Sequence, residues 1–143
     1  MKPNNPQGLG QHPVRIFYED TDATGIVYHA NYIKFMERGR SLFLLERGID
    51  LNWLRSKAEI QFLVKSIQVE YLQSARLLQE VTVLTHVEEF KKASLRLKQA
   101  IYFDPSDPKT MLCRAEVLIV CTRLDGKPCA IPEIIIKGLK SES

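Results

Sequence analysis

Long hydrophobic runs are missing from this chain. No stretch reaches the roughly 18 to 20 apolar residues that a membrane-spanning helix needs, and no apolar segment behind Met1 has the form of a secretory signal. Membrane insertion is therefore not expected, and a cytoplasmic location is. Cysteine is scarce too: Cys113, Cys121 and Cys129 are odd in number and lack CxxC spacing, which argues against a disulfide framework or a zinc site. If Cys113 and Cys121 share one strand they lie about 26 Å apart, beyond bonding reach, so the thiols read as small apolar residues. The three histidines, His12, His29 and His86, form no cluster with metal-ligand spacing, so no metal is expected. Charge of one sign is also lacking. The 20 Lys and Arg against 17 Asp and Glu leave only +3, too little to imply a nucleic-acid partner.

What is present is the composition of an ordinary globule, 45% apolar and 26% charged, at a length that suits one domain with a real core. Residues 1–13 carry three prolines, two glycines and two asparagines and read as a flexible tail. A single domain is expected over 14–143. Val14 to Tyr18 is rich in β-branched and aromatic residues, as a short strand is. From about Ala30 to Arg47, Tyr32, Phe35, Met36, Phe43 and Leu44 recur at helical spacing, with Gly39 on or near the stripe and Gly48 as the stop. An irregular or helical connector, Ile49 to Ala58, holds the one Trp. Period two then takes over: a strand around Ile67, Val69 and Tyr71, followed by Glu80–Phe90, Ser94–Phe103 and Met111–Leu124. Pro132 to Lys140 reads as a short terminal helix. One long helix against one sheet is an α+β arrangement. A single helix cannot cover the whole sheet, and the segment Val117 to Cys121 is apolar on both faces, so self-association is expected.

The stretch Tyr18-Glu19-Asp20-Thr21-Asp22-Ala23-Thr24-Gly25-Ile26-Val27-Tyr28-His29-Ala30-Asn31-Tyr32 organises the rest. It is an acidic, glycine-containing turn that runs directly into the long helix. A carboxylate there sits near backbone N–H groups that no intrahelical acceptor satisfies, at the end of the helix dipole that favours negative charge. Such a pairing suits acyl transfer: the carboxylate attacks or deprotonates water while N–H groups hold the oxyanion. By position alone, a turn former or helix cap is the commoner use of Asp22. Glu19, Asp20 and Asp22 make a weak cation signal, and Asp20 reads as a hydrogen-bonding residue at a strand end. Neither Ser41 nor any cysteine lies in a nucleophile elbow.

Asp20-Thr21-Asp22-x-x-Gly25-x-Val27-Tyr28-His29-x-x-Tyr32 resembles the signature of the hotdog-fold acyl-CoA thioesterases. The similarity is to the branch related to 4-hydroxybenzoyl-CoA thioesterase and to the bacterial thioesterases associated with the Tol-Pal cell-envelope system. It extends through Phe35-Met36-Glu37-Arg38-Gly39-Arg40 and, more weakly, through Tyr71-Leu72-Gln73-Ser74-Ala75-Arg76-Leu77, Lys92-Ala93-Ser94-Leu95 and Gly126-Lys127-Pro128. The resemblance implies a long central helix wrapped by a curved antiparallel sheet of about five strands. It implies hydrolysis of an acyl-CoA, with Asp22 as nucleophile or general base and the backbone N–H of His29 holding the thioester oxygen. Tyr32 reads first as a core residue that would also line the substrate site, and Arg76, Lys91 and Lys92 would meet coenzyme A phosphates, a solvated turn being the commoner use of each. Coenzyme A is then a product, and no cofactor is expected. A homodimer or homotetramer and a functional link to the Tol-Pal system are implied on the same ground. Two other functions stay open at this point: a hotdog dehydratase using the His29 ring as base, and a non-catalytic acyl-CoA-binding module.

Overall fold

Side-chain alternation builds the sheet. In the computed structural model, which describes residues 9–140, the five strands are β1 (Gly10–Arg15), β2 (Ile60–Tyr71), β3 (Glu80–Phe90), β4 (Ser94–Tyr102) and β5 (Met111–Arg123). All neighbours pair antiparallel in the order β1-β3-β4-β5-β2. Val81, Val83 and Thr85 of β3, Leu95, Leu97, Gln99 and Ile101 of β4, and Ala115, Val117, Ile119 and Cys121 of β5 are buried on one face. Against that face lies the long helix α1 (His29–Glu46), which buries Tyr32, Phe35, Met36, Gly39, Arg40 and Phe43. The i, i+3, i+4, i+7 spacing of that stripe is the one that keeps a helix face on a core.

Gly39 sets how closely α1 approaches the sheet, because a Cβ there would stand 2.8 Å from Cγ1 of Val83. Beside it runs a buried polar chain. Arg40 Nη1 donates to Gln99 Oε1 at 2.9 Å, and Gln99 Nε2 donates to the Met36 carbonyl at 2.8 Å and to Thr85 Oγ1 at 2.9 Å. Gln99 Oε1 gives the buried guanidinium the acceptor it requires, and the other two bonds hold the Gln99 amide in place.

α1 packs chiefly on β1, β3 and β4 and meets β2 at Tyr71, through His29 and Tyr32. Phe62, Ile67 and Val69 of β2 are only half-buried, and Leu63, Val64 and Tyr71 are more than 40% exposed. After α1, Asp50 caps α2 (Leu51–Trp53) by accepting from the N–H of Asn52 and of Trp53, and a π turn over Leu54–Ala58 leads into β2. The C-terminal helix α3 (Glu133–Lys140) buries Ile135 and Leu139.

Three boundaries differ from expectation, the first being that the strand expected to reach Tyr18 ends at Arg15 and Tyr18–Asp20 forms a 3-10 turn, in which the Asp20 N–H donates to the Phe17 carbonyl. β1 starts at Gly10 rather than Val14, so residues 10–13, expected in the tail, pair with Thr85 to Thr82 of β3, and His12 is buried. The strand is an edge, where Pro13 is tolerated and the partner strand sets the register. Residues 1–8 of that tail lie outside the described residues. β2 also begins seven residues before Ile67, at Ile60, with a bulge between Val64 and Ser66 that breaks the period-two pattern there. Cys121 and Cys129, which the sequence does not bring together, face each other with 3.7 Å between sulfurs, and burial pushes the Cys121 thiol up to about 12.

Candidate active site

Asp22 stands in a loop held by its own backbone. Its N–H donates to the Ile26 carbonyl at 2.8 Å, its carbonyl accepts from Gly25 N–H at 3.0 Å, and Gly25 takes the left-handed conformation (φ +83°) that closes the turn. Oδ1 accepts twice from one residue: from the Thr24 N–H at 2.8 Å and from the Thr24 hydroxyl at 2.6 Å. Among the described hydrogen bonds Oδ2 accepts none. The carboxylate is exposed, and its pKa is lowered chiefly by the Thr24 hydroxyl and then by the Thr24 N–H. Donors to the charged form favour it.

The loop is stitched to its neighbours on both sides. Thr21 bridges to Val27, Ile26 bridges to Arg76, and the Val27 N–H donates to the Ala75 carbonyl at 2.9 Å. The Asp20 carbonyl collects the Tyr28 N–H at 3.0 Å and Asn31 Nδ2 at 2.9 Å, while its Oδ2 accepts from the Phe17 N–H at 2.9 Å. Asp20 thus closes the loop through its backbone and its Oδ2.

No side chain caps α1 at Tyr28, and the Asn31 N–H turns back to the Tyr28 carbonyl at 2.8 Å. The N–H groups of His29 and Ala30 ahead of it precede the intrahelical ladder and sit at its positive end. The His29 ring packs on Tyr28 at 4.6 Å between centroids and lies edge-on to Tyr71 at 5.9 Å. Tyr32 is beneath them, 2% exposed, its hydroxyl accepting from the Ala75 N–H at 2.9 Å. It therefore packs in the core, holds the segment that bridges to the Asp22 loop, and meets the exposed rim at Tyr71, 6.0 Å away, and at Ser74.

Asp22, His29, Tyr32 and Arg76 are thus gathered at one end of the sheet. Lys91 and Lys92 are not. They form the β3–β4 hairpin, separated from the Asp22 end by the eleven residues of β3, about 33 Å at 3.3 Å per residue. There Lys91 Nζ faces Glu89 at 3.9 Å and the Lys92 carbonyl accepts from Ile131 N–H. Antiparallel connections alternate between the two ends of a sheet, and the β3–β4 turn falls at the end away from Asp22.

One concavity of about 1100 Å3 is lined by Gln68, Glu70, Leu84, His86, Lys98 and Arg114, and another of about 250 Å3 lies between β1 and α1. Asp22 lines neither, and its carboxylate is exposed in the single chain. Among the described residues no three His, Cys, Asp or Glu side chains gather to hold a metal. Two residues of the rim were not singled out from sequence. Thr24 had a legible signal, since Asp-x-Thr is the spacing of a side-chain-closed turn. Tyr71 falls in a weaker stretch of the resemblance, but its place beside His29 depends on how β2 meets the start of α1.

Residues 18–139 match the family model described as the thioesterase-like superfamily. Over 133 residues the chain is 38% identical to the acyl-CoA thioester hydrolase YbgC of Escherichia coli O157:H7, covering 92% of this chain and 96% of that protein. It is 36% identical over 122 residues to the acyl-CoA thioesterase YbgC of Haemophilus influenzae, covering 85% and 87%. The crystal structure of a probable thioesterase from Bartonella henselae superposes with a TM-score of 0.80 at 31% identity, over 87% of this chain and 99% of that one.

Proposed function

The chain belongs to the thioesterase-like superfamily and has its hotdog fold, and from that premise we propose that it hydrolyses an acyl-CoA thioester to a free carboxylic acid and coenzyme A. One observation carries the assignment to a site. A carboxylate with one oxygen fully donated to and the other free stands in a loop tied to an uncapped helix start.

Asp22 is the catalytic carboxylate in this reading. Either its Oδ2 attacks the thioester carbon, the C–S bond breaks and water then cleaves the anhydride, or Oδ2 takes a proton from the water that attacks. The His29 N–H holds the oxygen that gains charge. The ring of His29 is not required, since it serves as a packing surface between two tyrosines.

The uncovered β2 edge supports a homodimer, with tetramers as pairs of dimers. Antiparallel pairing of β2 with β2 of a second copy sets the Ile60 end of one protomer beside the Tyr71 end of the other. The Lys91–Lys92 hairpin of that second copy then shares an end of the joined sheet with Asp22 and Arg76, where the three cations face coenzyme A phosphates. A cytoplasmic location, expected from the lack of a long apolar run, and a functional link to the Tol-Pal system, which rests on resemblance alone, complete the proposal.

The test is thiol release over a panel of acyl-CoAs. Asp22→Asn is expected to lose about 10²–10⁴-fold in kcat, and His29→Ala to stay within about tenfold of wild type. A dehydratase would release no thiol and would instead convert a hydroxyacyl-CoA to an enoyl-CoA and water, an activity lost in His29→Ala and kept in Asp22→Asn, and binding with neither reaction would establish a binding module.

A further inference from the structure

Nothing packs around the Asp22 carboxylate: both Asp22 and Thr24 are exposed. An exposed aspartate ordinarily samples several rotamers, yet here one residue supplies two donors to a single oxygen, the hydroxyl at 2.6 Å and the N–H at 2.8 Å. Together they fix the side chain, and they leave Oδ2 without a described partner. We propose that Thr24 is a positioning residue for thioester hydrolysis, its hydroxyl selecting Oδ2 of Asp22 as the reacting oxygen. This rests on the reading of Asp22 as the catalytic carboxylate.

The arrangement has opposing effects on rate. Donation to Oδ1 withdraws charge and weakens Asp22 as a base, but it also keeps the group ionised to lower pH and removes the search over rotamers before each turnover. In the nucleophilic route the benefit continues. When Oδ2 has bonded to the acyl carbon, Oδ1 is the carbonyl oxygen of the anhydride. The two Thr24 donors then face an oxygen that gains negative charge as water adds to the Asp22 carbon.

The same turn occurs where no chemistry is assigned. In the β4–β5 connection, Oδ1 of Asp104 accepts the Ser106 N–H at 3.0 Å and the Ser106 hydroxyl at 2.7 Å. That pair is a built-in control for the turn-forming role alone.

The experiment measures pH profiles of kcat and KM on the full chain with an acyl-CoA that the wild type cleaves, for Thr24→Val, Thr24→Ser, Asp22→Asn and Ser106→Ala. Thr24→Val is expected to lower kcat about tenfold with KM within about twofold, and to move the acid limb of kcat/KM to higher pH. Thr24→Ser restores both, and Ser106→Ala changes neither. If Asp22→Asn is inactive while Thr24→Val keeps the wild-type kcat and acid limb, the positioning role is overturned and the catalytic carboxylate stands. If Asp22→Asn is as active as wild type, the reading of Asp22 falls and the role of Thr24 falls with it. Should Thr24→Val misfold by circular dichroism, Thr24→Ala against Thr24→Ser decides by the same two readouts.

Discussion

Gly39 has no side chain to place between α1 and β3, and the helix uses the room. Alanine would gain up to about 1 kcal/mol of helix propensity, but its Cβ would stand 2.8 Å from a methyl of Val83, which is fully buried. Overpacking of that kind costs about 1–3 kcal/mol, so Gly39→Ala is expected to be a net loss, read as a lower melting temperature. Gln99 illustrates the opposite hazard, an emptied acceptor. Gln99→Leu leaves the Arg40 guanidinium without its described acceptor in the core and should cost about 2–4 kcal/mol. Arg40→Met combined with Gln99→Leu should recover part of that loss, which a double-mutant cycle in urea measures. At Asp22 the sign follows from its lowered pKa. The carboxylate stays ionised to lower pH than an ordinary aspartate, and hydrolysis that needs it ionised fades only as pH falls through the folded value. An acid limb at or above the ordinary aspartate range would contradict this.

At the level of elements, legibility followed local period. β3, β4 and β5 fall within about a residue of the ranges expected from alternation, and α1 within one residue of its stripe. β1 was half hidden because Gly10 and Pro13 have poor strand propensity and take their register from β3. The first half of β2 was hidden because Leu63 and Val64 stay exposed and Lys65 sits in a bulge. At the candidate site, the Asp22 motif and the helix start were legible as a sequence pattern. The distance of Lys91 and Lys92 from Asp22 was not, because it depends on which end of the sheet each hairpin occupies. The same exposed stretch of β2 provides a test of the proposed seam. Replacing Leu63 and Val64 together by Glu puts like charges on both copies and should drive the assembly toward monomer in sedimentation while the helical circular dichroism signal is kept.

For the whole molecule, the proposed dimer predicts that stability depends on concentration. If the second copy supplies the missing cover of β2, the melting temperature rises with protein concentration and specific activity falls on dilution. A melting temperature and specific activity independent of concentration would contradict the dimer. The strand order also has a consequence in time. β2 follows α1 in the chain, but its one neighbour within the protomer is β5, so β3, the β3–β4 hairpin and β4 must all be synthesised before that ladder can close. At about 5–20 residues per second on the ribosome that is a wait of several seconds with both edges of β2 bare. The strand assigned to the subunit seam is therefore available to the same strand of a neighbouring nascent chain before its own sheet is finished. Assembly on a shared messenger would compete directly with intramolecular closure, and the spacing of ribosomes would help decide which comes first.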